Sequence, residues 1–262
     1  MHRIKEIVVL FLLLLLVVPT ENFAQSAGGQ ISRKSKTVVR KGTPAKKTSS
    51  KSTAKKPAAR KAVRSSKPIP NGAVDLGLPS GTLWADRNIG ANSPEGYGDY
   101  FAWGETRTKS VYDWSTYKYC KGSDKTIAKY CDDSSYGTVD NKTVLEPSDD
   151  AATANWGSSW RMPTHGEQVE LNEKCKWTWT TRNGVKGYKV TGPNGNSIFL
   201  PAAGYVIDID IVYSGTYSIY WSSSLCDNPQ TVWVIDFRMD NHSGNIGVPR
   251  RHGFSVRAVS NK

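Results

Sequence analysis

Histidine and cysteine are the residue types best suited to metal binding or nucleophilic work, and the chain has four of each at unpromising spacings. His165, His242 and His252 stand at no metal-ligand spacing from a cysteine or a carboxylate, and neither a G-x-S-x-G elbow nor a Cys–His nucleophile pattern occurs. The acids Asp132 with Asp133, Asp149 with Asp150, and Asp208 with Asp210 are rich in oxygen. None fits the calcium-loop pattern, so they are expected to be solvated. The sequence predicts no catalytic residue, no metal and no cofactor.

The chemistry it favours is recognition. Residues 206–252 are dense in the aromatic and charged types that dominate interface hot spots. The candidate ligand-binding set begins with Ile207, Asp208, Asp210, Tyr213, Tyr217 and Ile219. It continues through Leu225, Asp227, Asn228, Trp233 and Ile235, and ends with Arg238, Asp240, His242, Arg250 and His252. Ile207, Ile209, Ile211 and Val212 fall in an expected surface loop. Aliphatics clustered there mark either a binding face or an alternating strand face packed on the core, and both readings stay open.

These residues need a scaffold of strands. Nine Trp and twelve Tyr beside twenty-three Gly point to short strands and many turns rather than a helical bundle. Trp177 and Trp179 alternate with threonines, Asn183-Gly184 supplies a tight turn, and 188–191 returns towards a second turn and 197–200. An Asn-Gly pair between alternating runs is a strong hairpin signal, because both turn positions tolerate positive φ. Further strands are expected near 73–76, 82–86, 220–223, 231–237 and 254–259. One helix is expected after Ser148, with Asp149 and Asp150 at its positive end and Gly157 closing it. A second starts at the capping box of Thr164 and Glu167 and runs towards Cys175, with Leu171 and Cys175 facing inward.

Charge divides the chain. Of the 35 Lys and Arg, 2 lie in residues 1–27 and 14 in 28–72, leaving 19 against 21 acids in 73–262. The net +12 therefore belongs to a segment, and the chain is not one basic nucleic-acid-binding domain. Residues 1–27 carry a charged start, an apolar run over 7–18 and small Ala24 and Ala27, the pattern of a cleaved signal peptide. Residues 28–72, rich in Lys, Ala, Ser and Pro, bury too little apolar area to offset chain entropy and are expected to form a disordered tether. Such a tether suits an anionic envelope surface, with a plain solvated linker as the equal alternative and nucleic acid third, and no transmembrane segment is expected after signal cleavage. In an exported chain Cys120 and Cys131, eleven positions apart, are the expected disulfide.

The strings VDLGLPSGTLWADRNIGANSPEGYGDYFAWGE, NWGSSWRMPT, SIFLPAAGY, YWSSS and GFSVRAV, spread over 73–262, resemble a large family of exported Bacteroidota proteins. That family is similar to the Fibrobacter major-paralogous domain and to the formylglycine-generating-enzyme-like branch of the C-type lectin fold. The resemblance implies an α+β, C-type-lectin-like domain with a small twisted antiparallel sheet, two short helices, long loops, and first and last strands close together. Gln168 departs from the Trp such domains often carry after the capping-box Glu.

Domains ending in AAGY, YWSSS and GFSVR are often variable proteins of diversity-generating retroelements. That resemblance implies a C-terminal surface, possessed of many variants, that binds an extracellular protein or glycan. A structural surface or adhesin subunit is the alternative. The enzymatic relatives use a cysteine pair that binds copper, whereas the C-terminal third here holds only Cys226, so no enzyme is expected.

Overall fold

The computed structural model describes residues 69–262, so the signal-peptide reading and the tether reading up to residue 68 lie outside the described residues. From Ala73 onward the chain is mostly β-sheet with two short helices. Strands β1 (Ala73–Asp75) and β2 (Leu83–Ala85) pair antiparallel, and the last strand of the chain, β13 (Val259–Ser260), pairs on the other side of β2. The first and last strands thus share one sheet.

The main sheet has five strands. Beside the short β3 (Tyr100–Phe101) lies β12 (Phe254–Ser255), then β9 (Tyr217–Leu225), β10 (Thr231–Arg238) and, at the edge, β11 (Asn241–Pro249). β12 runs parallel to β9, and the other neighbours are antiparallel. A three-stranded meander of β4 (Lys176–Arg182), β5 (Val185–Thr191) and β6 (Ser197–Pro201) follows the sequence reading closely. Its turn residues Asn183 and Gly184 have φ of 47° and 83°, the doubly positive pair that matches the twist of a two-residue hairpin.

Period-two alternation places the main sheet between two cores. Ile219, Trp221 and Leu225 of β9, with Val232 and Val234 of β10, join Trp103, Tyr130 and Phe254 in one cluster. Tyr220, Ile235 and Phe237 face the other way, onto Leu171, Tyr188, Val190 and Leu200. Burying a side chain such as Phe237 contributes roughly 1.5–3 kcal/mol. Two indoles lock the strands reciprocally. Trp103 Nε1 donates to the Ser222 carbonyl at 2.8 Å and Trp221 Nε1 to the Phe101 carbonyl at 2.7 Å.

The helices are α1 (Ala151–Trp156) and α2 (His165–Lys174). The capping box forms at α2 as the sequence predicts, with the Thr164 hydroxyl accepting from Glu167 N and Glu167 returning to Thr164 N. Glu167 also takes Arg161 at 2.6 and 2.7 Å, and against burial this cation, with the Thr164 and Thr82 donors, holds its carboxyl down to about 2. Leu171 is buried, Cys175 only partly. Gln168 is buried and its amide donates to the Tyr220 carbonyl at 3.0 Å, tying the helix to the sheet.

At α1 the cap differs from the expectation. Ser148 lies in a 3₁₀ turn over Pro147–Asp149, and Asp150 is the cap, accepting from Thr153 N and Met162 N. Asp149 is turned to Lys129, Lys118 and the Tyr130 hydroxyl, which hold its carboxyl well below the ordinary range although burial opposes them. Gly157 closes α1 at positive φ, as expected.

The disulfide expected between Cys120 and Cys131 is not formed. Each thiol is turned to a local carbonyl, Cys120 to Trp114 O at 3.0 Å and Cys131 to Asp133 O at 3.1 Å. No helix among the described residues is long and apolar enough to cross a membrane.

Candidate ligand-binding surface

The segment expected as an irregular surface loop is a small hairpin, β7 (Tyr205–Ile207) and β8 (Asp210–Val212). Asp208 and Ile209 form its two-residue turn, and Asp208 sits at φ 54°, a conformation Asp tolerates better than most residues. Gly204 enters the hairpin at φ 69°, and a Cβ there would lie 2.2 Å from the Val212 carbonyl, so only glycine fits.

Backbone bonds pin the hairpin on both sides. Val206 exchanges hydrogen bonds with Gly253 at 2.8 and 3.0 Å, and Tyr112 N donates to the Asp208 carbonyl at 2.7 Å. Only Val206 turns inward. Ile207 is half-buried, while Ile209 and Ile211 remain 70 % and 59 % exposed. They do not form a strand face packed on the core.

Behind the hairpin three tyrosines pack together. Tyr205 lies 5.8 Å from both Tyr213 and Tyr217, centroid to centroid, and Tyr213 and Tyr217 are 6.4 Å apart. The Tyr217 hydroxyl donates to Asp236 Oδ2 at 2.8 Å, while Asp236 Oδ1 is buried without a partner. Burial pushes the Asp236 carboxyl up to about 6, against the pull of Tyr217 and Arg238, and burial also raises Tyr205 to about 12. Arg238 projects from the end of β10 with Asp240 3.7 Å away.

Asp236 carries a pH signature of determinable sign. Its folded carboxyl titrates above the ordinary 3.8, so the native state binds more protons between about 4 and 6 and stability falls as pH rises through that window. Asp236→Asn removes this slope. The unfolding free energy of the variant relative to wild type is expected to rise by on the order of 2 kcal/mol between pH 4 and pH 7, read from urea denaturation at each pH. His252 works in the opposite sense. Burial, then the neighbouring Arg251, pull its imidazole down to about 3, so it contributes stability above pH 6.5 that is lost as pH falls towards 3. Because both proteins in the comparison keep His252, the difference isolates Asp236.

The remaining candidates divide by burial. Asp208, Asp210, Tyr213, Asp227, Arg238 and Asp240 are exposed, and Ile207, Tyr217, Asn228, Trp233 and His242 are partly so. Ile219, Leu225, Ile235, Arg250 and His252 are buried and stand corrected, because the pleat of β9 and β10 turns the first three into the cores and the other two follow β11 inward. Asn228 is a turn former whose side chain accepts from Gln230 N at 2.9 Å. Trp233 stacks on His165 at 4.3 Å and His242 on Trp177 at 4.5 Å, and these pairs bind β10 and β11 to α2 and the meander rather than to the hairpin.

Ile209, Ile211 and Met239, the last 66 % exposed, belong to the surface but not to the candidate set. Their signal in the sequence is an apolar residue beside turn formers, which ordinary strands also show. Concavities lie apart from these residues. An open trough of about 450 Å³ on the meander is lined by Arg182, Lys189 and Phe199, and one of about 310 Å³ by Arg107, Lys109 and Lys118. Among the described residues no group of three or more His, Cys, Asp or Glu is placed to hold a metal.

The arrangement offers exposed apolar, aromatic and charged contact area on a pinned backbone, with Asp236 hydrogen-bonded from Tyr217 rather than paired with a nucleophile or general base. Comparison with protein-family models, with curated proteins and with solved structures finds no match to this chain.

Proposed function

We propose that the chain is an exported, cell-surface ligand-binding module, not an enzyme, whose C-terminal surface binds an extracellular protein or glycan. The observation that carries this reading is the hairpin. Of the seven large apolar side chains left exposed among the described residues, Ile209, Ile211 and Tyr213 come from this one short stretch. Exposed apolar clusters rimmed by polar groups mark interaction sites.

The C-type-lectin-like reading of the α+β domain is supported by the shared sheet of the first and last strands, by the two short helices and by the long loops between β3 and α1. The reading as a retroelement-diversified protein draws support from the order of the chain. Buried motif residues at 199–203, 220–223 and 253–259 alternate with stretches holding exposed side chains at 208–213 and 238–241. The basic segment at 28–72 serves as a tether to an anionic envelope surface, and nucleic acid is not the partner.

Exchanging the exposed residues of 206–252 for those of a relative with the same framework tests the reading. The expected result is a changed ligand at an unchanged urea midpoint. An assembly subunit would lose its oligomers instead, seen as a shift in sedimentation, and that outcome would establish the adhesin alternative.

A further inference from the structure

Resting on the reading of the hairpin as a binding surface, we propose that its ligand is a protein, and that the contact face is an aliphatic groove bordered by lysine and arginine side chains into which Ile209 and Ile211 insert. The apolar part follows from exposure. Ile209 stands in the two-residue turn and Ile211 two residues on in β8, both exposed, and burying both is favourable only against a surface that is itself apolar. A glycan presents hydroxyls that must keep hydrogen-bond partners, and aliphatic side chains supply none.

The basic border follows from charge. Asp208 and Asp210 flank Ile209 in the chain and both are exposed, and the backbone bond from Tyr112 to Asp208 brings Asp113 to the same place. Arg251 is a cation here, its guanidinium 5.5 Å over the Trp114 ring, where burial pulls it down against the acids Asp208, Asp113 and Asp124. Three carboxylates against one guanidinium leave the rim negative, so the complementary surface carries cations. Lysine and arginine also suit it because their stems add apolar contact beside the groove.

Preorganisation completes the argument. Asp208 and Tyr213 hold φ of 54° and 59°, at the turn and at the exit of the hairpin, and together with Gly204 they fix its direction. Non-glycine residues in this region are strained positions that persist where the surroundings over-determine them, and the bonds to Tyr112 and Gly253 do so here. A tip already held loses little entropy on binding.

The test uses the full chain and two synthetic helical peptides, one with an apolar leucine face bordered by lysines and one bordered by glutamates. Binding of the lysine peptide, followed by fluorescence anisotropy, is expected to weaken about tenfold in the double variant Ile209→Ser/Ile211→Ser. It is expected to lose its salt dependence in Asp208→Asn/Asp210→Asn, where Asn keeps the left-handed turn accessible. Any binding of the glutamate peptide to the basic segment is expected to be the same in all three proteins. Because the substituted side chains are exposed, urea midpoints serve as the control that folding is intact. Equal affinity of wild type and the isoleucine variant for the lysine peptide overturns the inference. If exchange of 206–252 changes the ligand while the isoleucine variant does not, the surface reading stands and this inference alone falls; if neither has an effect, both fall.

Discussion

Replacing Arg250 with alanine is expected to lower the unfolding free energy by about 3–5 kcal/mol, since each buried acceptor left without its donor costs about 1–3 kcal/mol. The side chain is fully buried. Its Nε donates to the Tyr117 hydroxyl at 2.6 Å, Nη1 to the carbonyls of Tyr130 and Pro229 at 2.9 Å each, and Nη2 to that of Lys129 at 3.0 Å. The guanidinium also lies over the rings of Trp103 and Tyr117, 4.8 and 5.2 Å from their centroids. None of its hydrogen bonds goes to a carboxylate, so carbonyl dipoles and ring faces stabilise the cation.

Alanine would leave three carbonyl oxygens and a phenol without their donor inside a cavity, and both effects destabilise. Lysine should rescue little, because one ammonium cannot reproduce the planar fork that serves the separate acceptors. Urea denaturation of Arg250→Ala and Arg250→Lys measures this. Midpoints equal to wild type would mean that the clamp does not hold the 117–130 segment to β11.

The second large effect is expected at Arg257, also about 3–5 kcal/mol for alanine, because three buried acceptors lose their donor. This side chain is 1 % exposed and links three parts of the domain. Nε donates to Asn88 Oδ1 at 2.9 Å, Nη1 to the Ala85 carbonyl at 3.0 Å and Nη2 to the Phe199 carbonyl of β6 at 2.8 Å. Asn88 passes the connection on through its amide to the Tyr97 carbonyl and the Tyr220 hydroxyl.

Arg257 also explains an interruption. The expected single strand over 254–259 is split into β12 and β13, and the intervening residues carry this inward guanidinium between two sheets. Methionine keeps much of the volume while removing the charge. Arg257→Met is therefore expected to lose less stability than Arg257→Ala, yet to free the meander for faster amide exchange. Equal protection of 197–201 amides in wild type and variant would show that the meander is held by other contacts.

Much of the scaffold is legible in the sequence because its signals are local. Thr164 with Glu167, and Asn183 with Gly184, fix their own backbone within a few residues, and both form as expected. β11 is not legible. Asn241–Pro249 contains two glycines and no alternating apolar run, and it becomes a strand by pairing with β10, a partner that only tertiary structure supplies. The reading of Arg250 and His252 as contact residues failed for a related reason. Residue type names a hot-spot candidate, but the acceptors that draw an arginine inward are backbone carbonyls far away in sequence. Nearness in sequence likewise misjudged Cys120 and Cys131, because each thiol turns to a carbonyl of its own neighbourhood and a short loop alone does not bring two sulfurs together.

The alternation of β9 and β10 has a consequence for how this protein can change over generations. A gene segment spanning 217–238 that is rewritten at random strikes mostly covered side chains, because both faces of these strands pack into cores on opposite sides of the sheet. Strands buried on both faces are therefore poor ground for novelty. The hairpin is different, since past Val206 its side chains face outward or lie only partly covered, with glycine and backbone bonds carrying the architecture. Heritable variety in what this molecule touches can accumulate at the tip at little cost to folding, while the strands beneath it are constrained to stay the same.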